Sequence, residues 1–477
     1  MDKPAAVRSD SPQRLSFLTK LAFGAGDLSA MTINVQVFFL LRFLTDVAGL
    51  PPGLAGNVLM LGKISDAVND PIVGMLSDRT RSRWGRRHVW MIFGGIPFGI
   101  IFLLQWVVPD FEIWGLFWFY VAMGVLFNLA YTAVNLPYTA LTPELTDDYD
   151  ERTSLNSFRF AFSIGGSIIS LLYAGIIIAV IANPRYQYLA IGAITAIAST
   201  VPLYLCVWGT RARVAENDRQ HSPADDASLT FLEQLRVVFS NRAFLFVVGI
   251  YLCAWLAVQV TASVLIYFVE DWIKLPPVPG LPLDPFSTVA LTVQGTAIAM
   301  LFVWSQVSNR FGKQAVFYAG AGIWAIAQVG IFLLRPETGT WIYPLAMLAG
   351  CGVSTAYLVP WSLLPDVIDL DELQTGQRRE GIFYAFMVLL QKVGLAAGLF
   401  LVGQSLEWAG YRGGADVQPD LALLAIRFCV AVLPAIFLVI GVVLTYFYPI
   451  SREIHAQILL QLKERELAAA SDAQTSD

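Results

Sequence analysis

Of the 477 residues, 56% are hydrophobic and 14% charged, and the mean hydropathy is +0.61. A soluble chain of this length carries about a quarter charged residues, so a water-soluble globular domain is excluded. A net charge of −5, with no basic patch interleaved with aromatics, argues against nucleic acid as a partner.

Apolar runs of about 20 residues recur along the chain, the length an α-helix needs to cross a bilayer. The polar tail at 1–16 lacks an apolar core, so no cleaved signal peptide is expected. Spans are expected near 17–45, 53–77, 89–108, 113–142, 155–182 and 186–209. A connection at 210–230 follows, with charges of both signs and a Ser-Pro turn, and then an amphipathic segment, FLEQLRVVFS. Six further spans fall near 242–269, 286–308, 314–334, 341–364, 381–406 and 421–448, and a charged tail occupies 450–477. The expected fold is therefore all-α: twelve transmembrane helices in two six-helix bundles, 17–209 and 231–449. Cys206, Cys253, Cys351 and Cys429 fall in apolar runs and read as packing residues. His88, His221 and His455 lie in polar connections, which argues against a metal cluster.

Short-loop arginines set the orientation. Arg79, Arg81, Arg83, Arg86 and Arg87 follow the second span, and Arg378 and Arg379 follow the tenth. The alternate loops are Pro- and Gly-rich and poor in base, so both termini are expected in the cytoplasm. The halves echo each other: GMLSDRTRSRWGRRHVW follows the second span and WSQVSNRFGKQAVFYAG the eighth. Repeated halves with a midplane site between them are the architecture of secondary transporters. Gly165 with Gly166, and Gly394 with Gly398, suggest close helix crossings. Trp106, Trp114, Trp272, Trp341 and Trp408 fall near span ends as an interface belt would. Trp255 and Trp361 lie where a sugar ring could stack.

The second span contains KISDAVNDPIVG, residues 63–74. Its Asp66 and Asp70 lie about 6 Å apart along a helix axis and share a face. Ionisable groups at membrane depth are costly and mark ion or solute paths. Pro71 cannot donate to the Ala67 carbonyl, so one more oxygen is left for a small cation or a proton. Lys63, one turn before Asp66, could act as an internal counter-ion and coupling residue. Lys392 lies deep in FMVLLQKVGLAAGLFL and must be paired, deprotonated or in contact with solute.

The stretch DAVNDPIVGMLSDRTRSRWGRRHVW resembles the signature of the glycoside–pentoside–hexuronide:cation symporters, a branch of the major facilitator superfamily. So do KLAFGAGD, FLTDVAGL, NLPYTALTPELT, DERTSLNSFR and LLPDVIDLDELQTGQRREGIFYAF, which lie in both halves and in the family's order. The resemblance implies a major facilitator fold and solute uptake driven by Na+ or H+ through alternating access, with no other cofactor. It implies a cation site at Asp66, Asp70, Thr132 and Asn135, with Na+ possible at the two aspartates. Asn135 stands where melibiose permease carries an aspartate, and Thr139 where it carries a tryptophan. The family's first-helix carboxylate aligns near Ala30, one turn from Asp27. Solute contacts are thus expected from Asp27, Asn135, Thr139, Arg159, Trp361 and Lys392, and coupling from Lys63 and Lys392. Asp78, Arg79, Arg152, Asp369, Glu372 and Arg378 form an expected cytoplasmic gate. The expected setting is a bacterial-type inner membrane, with a small solute, the cation and lipid as partners and a monomeric state. Two other functions stay open: a lysophospholipid carrier, since AYLVPWSLLPDVID also resembles the sodium-dependent lysophospholipid carriers, and a non-transporting receptor or assembly factor.

Overall fold

The structure, a computed structural model, describes residues 15–80, 82–146, 148–217 and 231–475. The side chains of Asp78 and Arg79, most of the expected N-terminal tail, and residues 218–230 of the expected linker lie outside that description. All regular structure among the described residues is helical. The long helices are labelled in chain order. In the first half they are α1 (Phe17–Leu40), α2 (Pro52–Arg79), α3 (His88–Leu104), α4 (Ile113–Thr139), α5 (Tyr149–Val180) and α6 (Pro184–Asn217). In the second they are α7 (Arg242–Ile273), α8 (Pro285–Phe311), α9 (Lys313–Leu333), α10 (Pro336–Thr375), α11 (Glu380–Trp408), α12 (Asp420–Tyr446) and the tail helix α13 (Arg452–Thr475).

Ten of these are long and apolar enough to cross a membrane. Of the other two expected spans, α3 has 17 residues, and α2, at 28, is interrupted by Lys63, Asp66 and Asp70. Helix starts follow local chemistry: Ser16, Asp148, Asn241 and Asp284 cap α1, α5, α7 and α8 by accepting a backbone N–H three residues on. Gly376, at φ 70°, takes the left-handed turn that ends α10. α6 runs to Asn217, so the connection starts later than the expected residue 210; no helix-breaking residue intervenes before the polar stretch.

α1 is irregular where function is expected. Residues Gly26–Ala30 tighten to a 3₁₀ turn around Asp27, and Gln36–Leu40 widen to a π turn. Gly26 permits this packing, because a Cβ there would sit 2.5 Å from the Tyr138 ring, whose hydroxyl donates to the Phe23 carbonyl (2.9 Å).

The first six helices pack chiefly through α2–α4, α3–α4, α3–α6, α1–α6 and α1–α5. The second six pack through α9–α10, α8–α10, α7–α12 and α7–α11. Three pairs join the halves: α2–α11, α5–α8 and α1–α7. The α2–α11 crossing is tightest at Gly56 and Gly403, where a Cβ on Gly403 would sit 2.7 Å from the Gly56 Cα. The glycines singled out in the sequence lie elsewhere: Gly166 faces Met31, Gly394 and Gly398 face Leu252 and Leu256, and Gly165 has open space around it. Those contacts lie within one half, because a GxxxG-type spacing marks a small-residue face without saying which helix meets it.

Candidate cation and solute site

The α2–α4–α11 junction builds the central site. Asp66 and Asp70, one turn apart on α2, both face Thr132 on α4, whose Oγ1 lies 2.9 Å from Asp70 Oδ1 and 3.2 Å from Asp66 Oδ1. Lys392 enters from α11, in the other half. Its Nζ lies 2.9 Å from Asp66 Oδ2 and 2.5 Å from Asp70 Oδ2. Asp66 and Thr132 are buried, and Asp70 keeps 28% of its side chain exposed. The two carboxylates thus share the Lys392 ammonium through their Oδ2 atoms and the Thr132 hydroxyl through their Oδ1 atoms. Hard oxygen donors of this kind also suit a small cation, so a metal ion and the lysine would compete for the same oxygens. Among the described residues no group of three or more His, Cys, Asp or Glu makes a metal cage.

The remaining expected site residues divide. Asp27 and Arg159 come together across α1 and α5 at 3.8 Å, and the Arg159 guanidinium lies 5.2 Å from the Phe160 ring. Lys63 forms no ion pair among the described residues; Lys392 holds both carboxylates instead. Lys63 lines a small cavity of about 30 Å³ with Gln36, Gln105 and Asn128. Asn135, half-buried on α4, makes no hydrogen bond to either aspartate among the described residues. Thr139 donates to its own helix, at the Leu136 carbonyl (2.9 Å).

An aromatic wall stands on the second half. Tyr251, Trp255, Tyr357, Trp361 and Tyr384 form a chain of ring contacts, with Trp361 and Tyr384 stacked at 6.1 Å and each 36% exposed. Among the buried donors without a hydrogen-bond acceptor are Trp255 Nε1 and Arg159 Nε, the latter held only by its 3.8 Å ionic contact with Asp27. Trp106, expected at the membrane interface, is instead buried and stacked on Tyr188, because its span end folds over the α6 start.

The two membrane faces differ. On the face away from the Arg-rich loops, Arg42 at the end of α1 crosses to the other half. It binds Asp271 through both terminal nitrogens (2.5 and 3.0 Å), Glu270 at 3.0 Å and Asp46 at 3.1 Å. It also donates to Tyr411, whose hydroxyl lies 3.0 Å from Asp271 and 3.1 Å from Asp46. Burial holds the Tyr411 phenol far above its ordinary pKa against the lowering pull of Arg42, so it stays a neutral donor. Arg42 is not among the expected site residues; its only signal in the sequence is an arginine inside an apolar run, four residues before Asp46.

On the Arg-rich face the ion pairs of Arg378, Asp369 and Glu372 among the described residues lie within their own half. Arg378 binds Glu372 (2.7 Å), Asp369 (3.4 Å) and Glu380 (2.6 Å), all in α10, α11 or the turn between them. Arg152 donates to the Thr146 carbonyl at 2.9 Å. Asp369 also accepts His455 from α13 at 3.1 Å.

Solved structures share the architecture at low identity. A nucleoside transporter, NupG, matches with TM-score 0.62 at 14% identity, over 91% of this chain and 98% of that one. A bacterial homologue of the human drug peptide transporters PepT1 and PepT2 matches with TM-score 0.63 at 13% identity, over 94% and 99%. The protein is thus an integral, multi-spanning membrane protein with a major-facilitator-like fold. Residues 22–452 match the family model described as MFS/sugar transport protein, and the chain belongs to that family: it is a transporter, not an enzyme. It is 47% identical to an uncharacterized symporter, sll1374, of a Synechocystis strain, over 96% of this chain and 99% of the relative. It is 27% identical to the inner membrane symporter YicJ of Escherichia coli, over 94% and 95%. It is also 27% identical to the sodium-dependent lysophosphatidylcholine symporter 1-A of Danio rerio, over 96% and 92%.

Proposed function

We propose that the protein is a cation-coupled symporter of a small oxygen-rich solute, a sugar, glycoside or uronide, working by alternating access. One observation carries the reading: Lys392 of one half is seated between Asp66 and Asp70 of the other. A cation that takes those oxygens frees the lysine, and with it a tie between the halves. Cation binding is thereby linked to the balance between two states, as coupling requires. The carboxylate pair and Thr132 form the cation site, taking Na+ or H+. Asn135 and Thr139 serve the solute side rather than the ion. Asp27 and Arg159 face the solute from one half, Trp361 and Lys392 from the other. Trp255 Nε1, without an acceptor, and Arg159 Nε, with only the long contact to Asp27, support a solute rich in acceptor oxygens.

The twelve helices form two six-helix bundles related by a pseudo-two-fold. Advancing each helix number by six turns the α2–α11 contact into α8–α5 and returns α1–α7 to itself. The Arg-rich face is cytoplasmic by the distribution of loop arginines, as are both termini, and the membrane is a bacterial-type inner membrane. The conformation is closed outside and parted inside, a reading supported by the cross-half ion pairs of Arg42, which among the described residues lie on the outer face. Arg378, Asp369 and Glu372 are inner-gate residues in their released state, and Lys63 modulates the charge beside the carboxylates. The protein acts as a monomer.

A second reading, a lysophospholipid carrier, is favoured by the 27% identity to the lysophosphatidylcholine symporter, equal to that with YicJ. Purified protein in proteoliposomes, offered sugars, uronides and a lysolipid under Na+ or H+ gradients, tests both. Gradient-driven uptake of a sugar or uronide is expected. Lysolipid uptake alone would select the second reading, and binding without transport would leave a receptor. Asp70→Asn should abolish gradient-driven accumulation while insertion and solute exchange survive; full accumulation in that variant refutes the coupling role.

A further inference from the structure

At the Arg-rich face, between the loop after α2 and the end of α6, lies an open recess of about 670 Å³. Its polar rim carries Arg83 and Arg211, and its walls descend through Trp84, Trp208, Val207 and Ile92. No aspartate or glutamate is among its lining residues.

The two guanidiniums are set apart from their neighbours. Arg86 and Arg87 are both taken by Glu144, at 2.5 and 3.2 Å. Arg83 and Arg211 have no ion-pair partner among the described residues, and Arg83 only lies 5.8 Å from the ring of the adjacent Trp84. Among the described residues the recess thus presents two positive charges without an acidic partner beside an apolar wall. Trp84 and Trp208 are 47% and 72% exposed, large aromatics turned outward at a span end, the level at which such rings meet lipid headgroups. Tyr204, also on the wall, spends its hydroxyl on the Ile92 carbonyl (2.8 Å) and offers no competing polar group.

We propose that this recess holds one anionic glycerophospholipid of the surrounding bilayer, its phosphate between Arg83 and Arg211 and an acyl chain along Val207, Trp208 and Ile92. A free phosphate would use the rim and leave the apolar wall bare, whereas a zwitterionic lipid would bring a cation toward two arginines. Basic pockets at the ends of transmembrane helices recognise anionic headgroups by this combination. The site lies outside the α2–α4–α11 junction, so it stands whichever solute is carried.

Native mass spectrometry of the full chain, delipidated and titrated with phosphatidylglycerol or phosphatidylcholine of equal chain length, tests it. One phosphatidylglycerol is expected to bind more tightly than phosphatidylcholine. Each surface arginine contributes about fivefold to anionic-lipid attraction, so Arg83→Gln with Arg211→Gln should weaken phosphatidylglycerol about 25-fold and leave phosphatidylcholine unchanged. Trp208→Ala should weaken both lipids. Both arginines are exposed, and an unchanged melting temperature checks that the double variant folds. Equal affinity for the two lipids, an unaltered affinity in the double variant, or displacement of lipid by glycerol phosphate at equal concentration would each overturn the proposal.

Discussion

In the proposed orientation, the outer and inner ends of the molecule use the same charged residue types in opposite ways. At the outer end one arginine from the first half, Arg42, is 9% exposed and bound to Asp271, Glu270 and Tyr411 of the second. The apolar packing there is continuous across the halves: Phe39 meets Phe286 edge-on at 5.3 Å, and one buried cluster runs from Phe43 through Tyr267 to Val402 and Ile426. At the inner end a second cluster, holding Phe244, Leu363, Phe383 and Ile458, is drawn from the second half alone. α2 records the change along its length. Towards its start Ala55 and Val58 are buried and Gly56 meets Gly403 of the other half, whereas Val68, Ile72, Met75 and Leu76 are between 47% and 58% exposed.

The difference teaches which charges can serve as a latch. An ion pair inside one half moves as a unit when the halves rock and is the same in both states. An ion pair across the halves has to break for the far side to open. Breaking a buried pair leaves an uncompensated charge and costs about 3–5 kcal/mol, while an exposed pair is worth about 0–1 kcal/mol. In the proposed cycle Arg42 would therefore hold the outer end shut, whereas the inner pairs of Arg378 would hold only the shape of their own half.

The largest expected effect tests that contrast directly. Arg42→Ala leaves Asp271 and Asp46 buried without their cation, a change of about 3–5 kcal/mol, and should favour the outward-open state. A cysteine at Val402, buried in the outer cluster, should then react with an impermeant maleimide about a hundredfold faster. An unchanged rate in a well-folded variant would remove the latch. Gly403→Leu comes next: its side chain would meet Gly56 Cα and the Pro52 carbonyl at 2.7 Å. Overpacking of this kind costs about 1–3 kcal/mol, and labelling of the same cysteine should rise about tenfold. Gly165→Ala, with nothing within 4 Å, should be silent; a response there would mean that helix spacing in general, not the α2–α11 crossing, sets the outer closure. Short of that silent control, the smallest shift is expected from Arg378→Gln, whose side chain is 51% exposed and paired within its half. It should shift the access ratio by less than about 1 kcal/mol. A shift as large as that of Arg42→Ala would show that the inner cluster also crosses the halves during the cycle.

What the amino-acid sequence determined by itself is local. Run lengths of apolar residues located the long helices, since a helix satisfies its backbone within one continuous segment. The four-residue spacing put Asp66 and Asp70 on one face, and the depth of Lys392 within its run demanded a partner. Caps such as Asp284 and the left-handed Gly376 were set by neighbours a few residues away. The tertiary structure alone decided which distant charges meet. Lys392 is 322 residues from Asp70, and Arg42 is 229 residues from Asp271. No helical period spans such separations, because they depend on how whole helices pack. For the same reason Arg378, with acids at several short spacings around it, could not be assigned to one half or to a gate from spacing alone. Helix periodicity fixes a side chain's direction within its own helix, and only packing fixes what stands opposite.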